Sequence, residues 1–186
     1  GITEDFDIQP DSDDYFAYAS ILQIQTNLAN KSCVTNLPLT NNPPVVSAGA
    51  NFTIPISTPF ILTGTGSDPE NDQLSFTWEQ NDSAASTSGG NSIADATKPD
   101  GPLFRSFNPG KSPVRYMPAL NSVLQNRLTT RWESVSSIAR TLNFSLTARD
   151  NAALGTAQTN TDEMIVNVSS QAGPFAITSQ NNVDLS

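Results

Sequence analysis

The residue types that could do chemistry stand in three separate stretches. Asp68, Glu70 and Asp72 fall in the run D-P-E-N-D, Asp150 closes A-R-D-N, and Asn41 and Asn42 precede two prolines. Calcium takes about six to eight oxygens from carboxylates, amide carbonyls, backbone and water, which this set supplies if the fold gathers it. Asp68, Glu70, Asp72, Asp150 and Asn42 are therefore the candidate calcium ligands. The competing reading is plainer. Asp, Asn and Pro are ordinary turn residues, and Asp150 could simply cap its loop or pair with Arg149 or Arg140. A glycosidase pair made of Asp68 and Asp72 is rejected, because four residues apart in one turn they do not face each other across a cleft.

Other catalytic constellations are excluded by composition. The chain has no histidine, which removes His-based zinc sites and both Ser-His-Asp and Cys-His catalysis. Cys33 is the single cysteine. It reads either as a loop thiol or as half of a disulfide whose partner lies outside the sequence. Charged residues make up 15% of the 186 residues, hydrophobic residues 37%, and the net charge is −9. Such a surface repels nucleic acid and anionic membranes and favours cations, so neither nucleic acid nor membrane is expected as a partner. The abundance of Ser, Thr and Asn suits an extracellular β-protein, secreted or on a cell surface. No apolar run approaches the ~18 residues of a membrane span. No signal peptide is visible, so a secreted origin would make this a piece of a longer protein.

The elements that must position those residues are strands. Phe60 and Leu62 alternate with Ile61 and Thr63, and after the acidic loop Leu74, Phe76 and Trp78 alternate with Ser75, Thr77 and Glu79. That period of two on both sides of a turn cluster marks half-buried antiparallel strands. Strands are predicted near 45–47 with a continuation at 52–56, then at 59–65, 73–80, 114–118, 140–150 and 157–170. The prolines around 114–118 suggest a sheet edge. Leu142, Phe144, Leu146 and Ala148 share one face, as do Met164, Val166 and Val168. Residues 81–101 are small and low in complexity and read as a long exposed loop; a short helical turn is expected at 120–126. The pattern predicts an all-β fold, an immunoglobulin-like Greek-key β-sandwich, in which the three candidate stretches gather at one end.

Upstream, residues 11–30 read as a helix with Asp11 or Ser12 as N-cap and Asp13 and Asp14 in its first turn. Its apolar positions (Tyr15, Tyr18, Leu22; Ile21, Ile24, Leu28) cover more than half the circumference, too wide a face for a surface helix. Either it packs on the sandwich or it belongs to a neighbouring unit; the second is favoured. The expected division is thus 1–30 acidic segment and helix, 31–44 linker, 45–173 β-sandwich, and 174–186 the start of a following β-domain or an edge strand.

The stretch NNPPVVSAGANFTIPISTPFILTGTGSDPENDQLSFTWEQ resembles the region following the catalytic domain in secreted bacterial reprolysin-like (metzincin) zinc metalloproteases. SDDYFAYASILQI is similar to the last helix of that catalytic domain, and PFAITSQN to the opening of the next β-domain. The likeness extends over nearly the whole chain, through the joint order of the helix, Cys33, NxPP, DPENDQLxxxWEQ and ARDN. It implies a non-catalytic module for spacing, docking or substrate engagement, with its parent's catalytic domain as partner and Cys33 bonded to a cysteine there. The zinc motif HExxHxxGxxH has no counterpart in a chain without histidine, so no zinc is expected here and no catalytic residue carries over. Cadherin-like and polycystic-kidney-disease-type domains are also similar in this pattern and use such positions for calcium at domain junctions. The alternative function is a cell-surface adhesion or carbohydrate-binding module; Trp132, between arginines in RLTTRWESV, reads either as a contact residue for protein or glycan or, as favoured, as ordinary rim packing.

Overall fold

A computed structural model describes residues 13–33, 35, 38–87 and 89–174. The chain is β-rich, with eight strands, two α-helices and a short 3-10 helix at Gly89–Ser92 among those residues. Strands β1 (Val45–Ser47) and β4 (Thr65–Ser67) form one antiparallel pair, and β3 (Phe60–Thr63) and β6 (Val114–Met117) another. The main sheet has the order β2-β8-β7-β5, with β2 at Phe52–Pro55, β5 at Ser75–Gln80, β7 at Arg140–Arg149 and β8 at Thr159–Ser169. β2 runs parallel to β8, while β8, β7 and β5 are antiparallel neighbours. Helix α1 spans Tyr18–Ala29 and α2 spans Leu120–Leu124. No helix among the described residues is long and apolar enough to cross a membrane.

Alternation along β7 and β8 builds the core. Leu142, Phe144, Leu146 and Ala148 are buried, with Met164, Val166 and Val168 beside them. Phe60, Leu62 and Met117 of the β3–β6 pair and Trp78 of β5 complete the same cluster. Phe60 lies edge-on to Phe52, Phe104 and Phe144, with centroids 6.2, 5.7 and 6.0 Å away, a geometry that suits the ring quadrupoles. The Trp78 indole N–H, which must find a partner once buried, donates to Pro113 O at 2.8 Å. Between β3 and β4, Gly64 lies against this core: a Cβ there would sit 2.2 Å from Leu146 Cδ2 and 2.9 Å from Ser47 O.

Three sequence expectations are corrected. First, Thr77 and Glu79 do not face solvent; they are 2% and 5% exposed. The segment entering α1 lies over that face of the sheet, so both faces of β5 are covered. Second, α1 begins at Tyr18, not near residue 11, and no acid lies in its first turn. Asp13 and Asp14 precede the helix, and its N-cap, Ala17, makes no side-chain cap; the expected caps Asp11 and Ser12 lie outside the described residues. Third, 81–101 is not simply exposed, for Thr87, Ala94 and Lys98 are buried. Lys98 Nζ donates to Ser92 O and Pro102 O, each at 2.9 Å. Arg140 donates to Lys98 O and Gly101 O, each at 2.8 Å. These long side chains satisfy loop carbonyls that a turn of small residues cannot satisfy for itself. The unit expected after Pro174 lies outside the described residues.

Candidate functional site

At one end of the molecule the linker passes between two loops and is held by both. Asp68 Oδ1 accepts from Glu70 N and Asp72 N at 2.9 and 3.0 Å, closing the D-P-E-N-D turn. Asn71 takes φ 65 there, a left-handed conformation that Asn tolerates. The turn thereby presents Glu70 to the linker, and Asn42 donates to it through its backbone N at 3.2 Å and Nδ2 at 2.6 Å. Across the linker, Asp150 is 1% exposed. It accepts from Ala152 N at 3.1 Å, from Gln158 N at 2.9 Å and from Asn41 Nδ2 at 2.6 Å. Asn41 Nδ2 also donates to Thr156 O at 3.0 Å, the Gln158 amide donates back to Asn41 O, and Asn160 Nδ2 donates to Pro44 O at 3.0 Å.

A second grip holds the start of α1 on the main sheet. Glu79 Oε2 accepts from Tyr18 N at 2.8 Å, so the sheet takes one of the N–H groups that a helix start leaves without a partner. Arg149 donates to Thr77 Oγ1 at 2.9 Å and to Phe16 O at 2.8 Å. Its guanidinium lies 5.2 Å from the centre of the Tyr15 ring. Burial lowers the basicity of Arg149, against the raising influence of Glu79 and Tyr15. Burial pushes the Glu79 carboxyl up, opposed by the Tyr18 N–H and by Arg149.

No family model matches the chain. No curated protein matches it either. One similar solved structure is described as "Ab initio phasing of a nucleoside hydrolase-related hypothetical protein from Saccharophagus degradans that is associated with carbohydrate metabolism". It shares 17% identity, covers 69% of this chain at a TM-score of 0.40, and this chain spans 26% of its length. A likeness of that grade carries no argument about fold or function.

The structure thus brings Asn42, Glu70 and Asp68 together on one side of the linker and Asp150 with Asn41 on the other. Asp72 lines a cleft of about 390 Å³ with Asp68 and Lys111. Among the described residues, no group of three or more acids, cysteines or histidines is arranged to hold a metal. Asp150 spends both oxygens on N–H donors, and Glu70 is occupied by Asn42. The exception is Asp68 Oδ2, buried without a hydrogen-bond partner. Neither Arg149 nor Arg140 pairs with Asp150: Arg140 lies 3.9 Å from Asp82 instead. Cys33 is exposed. Trp132 is partly buried, with the Arg131 guanidinium 5.2 Å from its ring and a cavity of about 180 Å³ beside it. Sequence reasoning missed the Glu79–Arg149 grip. The uncharged helix YASILQIQTNLA suggests either packing on the sheet or a neighbouring unit, and nothing in its own residues points to Glu79 or Arg149 as partners.

Proposed function

We propose that this chain is a non-catalytic accessory module, an immunoglobulin-like Greek-key β-sandwich, of a secreted multidomain zinc metalloprotease. Its task is to hold the preceding catalytic unit at a set orientation. The observation that carries this reading is the double grip on the chain before β1, at Asn41 and Asn42 and again at Phe16 and Tyr18. A freely hinged linker would leave those polar groups to water. The sandwich reading is supported by the sheet order β2-β8-β7-β5 with β2 parallel to β8, and by the facing β1–β4 and β3–β6 pairs.

The reading is tested in the full-length parent. Its reading frame upstream should encode HExxHxxGxxH. Replacing Asn41 and Asn42 together by Ala should widen the distribution of interdomain angles seen by small-angle scattering. A parent without the zinc motif, or one whose scattering is indifferent to both substitutions, contradicts the proposal. Casein hydrolysis by this chain alone would contradict it as well.

Calcium at Asp68, Glu70, Asp72, Asp150 and Asn42 belongs to the same proposal, supported by the partnerless Asp68 Oδ2 and by the contact of both acidic loops with the chain at 41–42. The ion would have to displace the bonds from Asn42 and Asn41. A ligand that binds only the native state must stabilise it, so calorimetry should show heat and a raised Tm at millimolar calcium, both lost in Asp68→Asn. Absence of both ends the idea. A second reading, an adhesion or glycan-binding module, is favoured by Trp132 and its adjoining cavity; glycan-array binding abolished by Trp132→Ala would support it over the first.

A further inference from the structure

We infer that α1 is a proton-linked latch, seated more firmly on the main sheet as the surroundings acidify, with Glu79 as the group that takes up the proton.

Glu79 sits on β5 beneath the start of α1 and is 5% exposed. A single described hydrogen bond reaches its carboxylate, from Tyr18 N at 2.8 Å. It forms no salt bridge among the described residues, because the guanidinium of neighbouring Arg149 is turned to Thr77 Oγ1 and Phe16 O. A carboxylate taken from water with so little compensation favours its neutral form. Three elements bring charged or titratable groups to this place. Arg149 comes from β7, Tyr15 with the Asp13 charge acting on it from the approach segment, and Tyr18 from α1, its backbone N–H on Glu79 and its phenol on Glu163 of β8. Burial raises both phenols above their ordinary value, so neither ionises between acid and neutral pH.

Lifting α1 would strip Glu79 of the arm's cover and of the Tyr18 N–H while Arg149 stays on the neighbouring strand, so the cause that raises its proton affinity would be removed. With α1 seated, burial raises that affinity. Seating therefore binds a proton. The advantage is complete below the ordinary glutamate range and is lost as pH rises through the seated value. One proton changes the seating equilibrium by at most about tenfold per pH unit.

What the latch governs is apolar surface. α1 carries no charge, and Leu22, Ile24 and Leu28 are already 48%, 42% and 52% exposed. Beside it lies a groove of about 430 Å³ lined by Asp14, Tyr15, Ile21 and Ile24 of the arm and by Arg149 and Thr159 of the sheet. Lifting α1 opens that groove.

The test is amide hydrogen exchange on the 186-residue chain, corrected for the intrinsic rate at each pH from about 4 to 8. Protection of the α1 amides around Ile21 should fall as pH rises, by up to about tenfold per unit, while Leu146 in β7 stays level. Glu79→Gln should keep α1 seated and flatten the slope. An unchanged or rising α1 protection in the natural chain overturns the inference, as does a slope that survives Glu79→Gln. Should the variant fold poorly, the natural chain still decides. The Tyr18 amide resonance must titrate above ~4.3, the value of an unstructured glutamate, and a midpoint at or below it also overturns the latch.

Discussion

The main sheet and the N-terminal arm are fastened by different forces. Between β5, β7 and β8 the fastening is apolar burial: Leu142, Leu146 and Val166 have no measurable exposure, and the ladder runs ten residues from Arg140↔Val168 to Arg149↔Thr159. The arm buries no residue of α1 and is attached through a handful of polar side chains on the sheet and its end loops. Burial is non-directional and indifferent to protons. A hydrogen bond to a carboxylate depends on ionisation and on both partners being in place. The sheet should therefore behave as a platform, and the arm as the adjustable part.

Substitutions sharpen that contrast. Leu146→Ala in β7 removes side-chain atoms at the centre of the core and should cost ~2–5 kcal/mol of global stability, read from urea unfolding. A loss confined to the arm would break the distinction. Asp150→Ala strands the N–H donors of Ala152, Gln158 and Asn41 around a buried site and should cost ~1–3 kcal/mol. Its more telling effect is local: exchange at 41–44 should quicken while β7 stays protected. Arg149→Ala should cost the whole fold ~1 kcal/mol yet release α1, seen as faster exchange at Ile21. If Arg149→Ala lowered Tm as far as Leu146→Ala does, the arm would be part of the platform after all.

This same division decided how much was legible in the sequence. Strands β7 and β8 were readable because alternation of Leu142, Phe144, Leu146 and Ala148 is a local consequence of the pleat. D-P-E-N-D was readable as a turn, since Asp68 closes it on its own neighbours. The arm was not, because its partners lie 61 residues away for Tyr18 and Glu79 and 133 for Phe16 and Arg149. Thr77 and Glu79 obey the outward half of the alternation, and only the covering segment, which periodicity does not reveal, makes them buried. Asp13 and Asp14 resemble a helix first turn, but the sheet supplies the acceptor for Tyr18 N, so the helix starts later. Likewise 81–101 has the composition of an open loop, and Arg140, some forty residues on, ties it down.

The gentlest probe of the contrast is pH, because the two best-placed carboxylates carry opposite signs. Asp100 accepts from the Ser86 backbone N and from the hydroxyls of Ser86 and Thr87. These donors favour its charged form and hold its pKa at about 2. A depressed acid stabilises at all pH above its unfolded value and loses that contribution as pH falls through the folded one. The tie between 86–87 and Asp100 should thus persist at mildly acid pH and let go only as pH approaches about 2. Glu79 runs the other way, since its raised affinity favours the seated arm in acid. Stepwise acidification from neutral pH, followed by amide resonances, should first strengthen protection in α1. Only near the bottom of the range should the Ser86 amide, which Asp100 holds, lose its bond. Asp100→Asn should abolish the second event and leave the first intact. Were both segments to loosen together, a general acid expansion would account for them, and the arm would have no titration of its own.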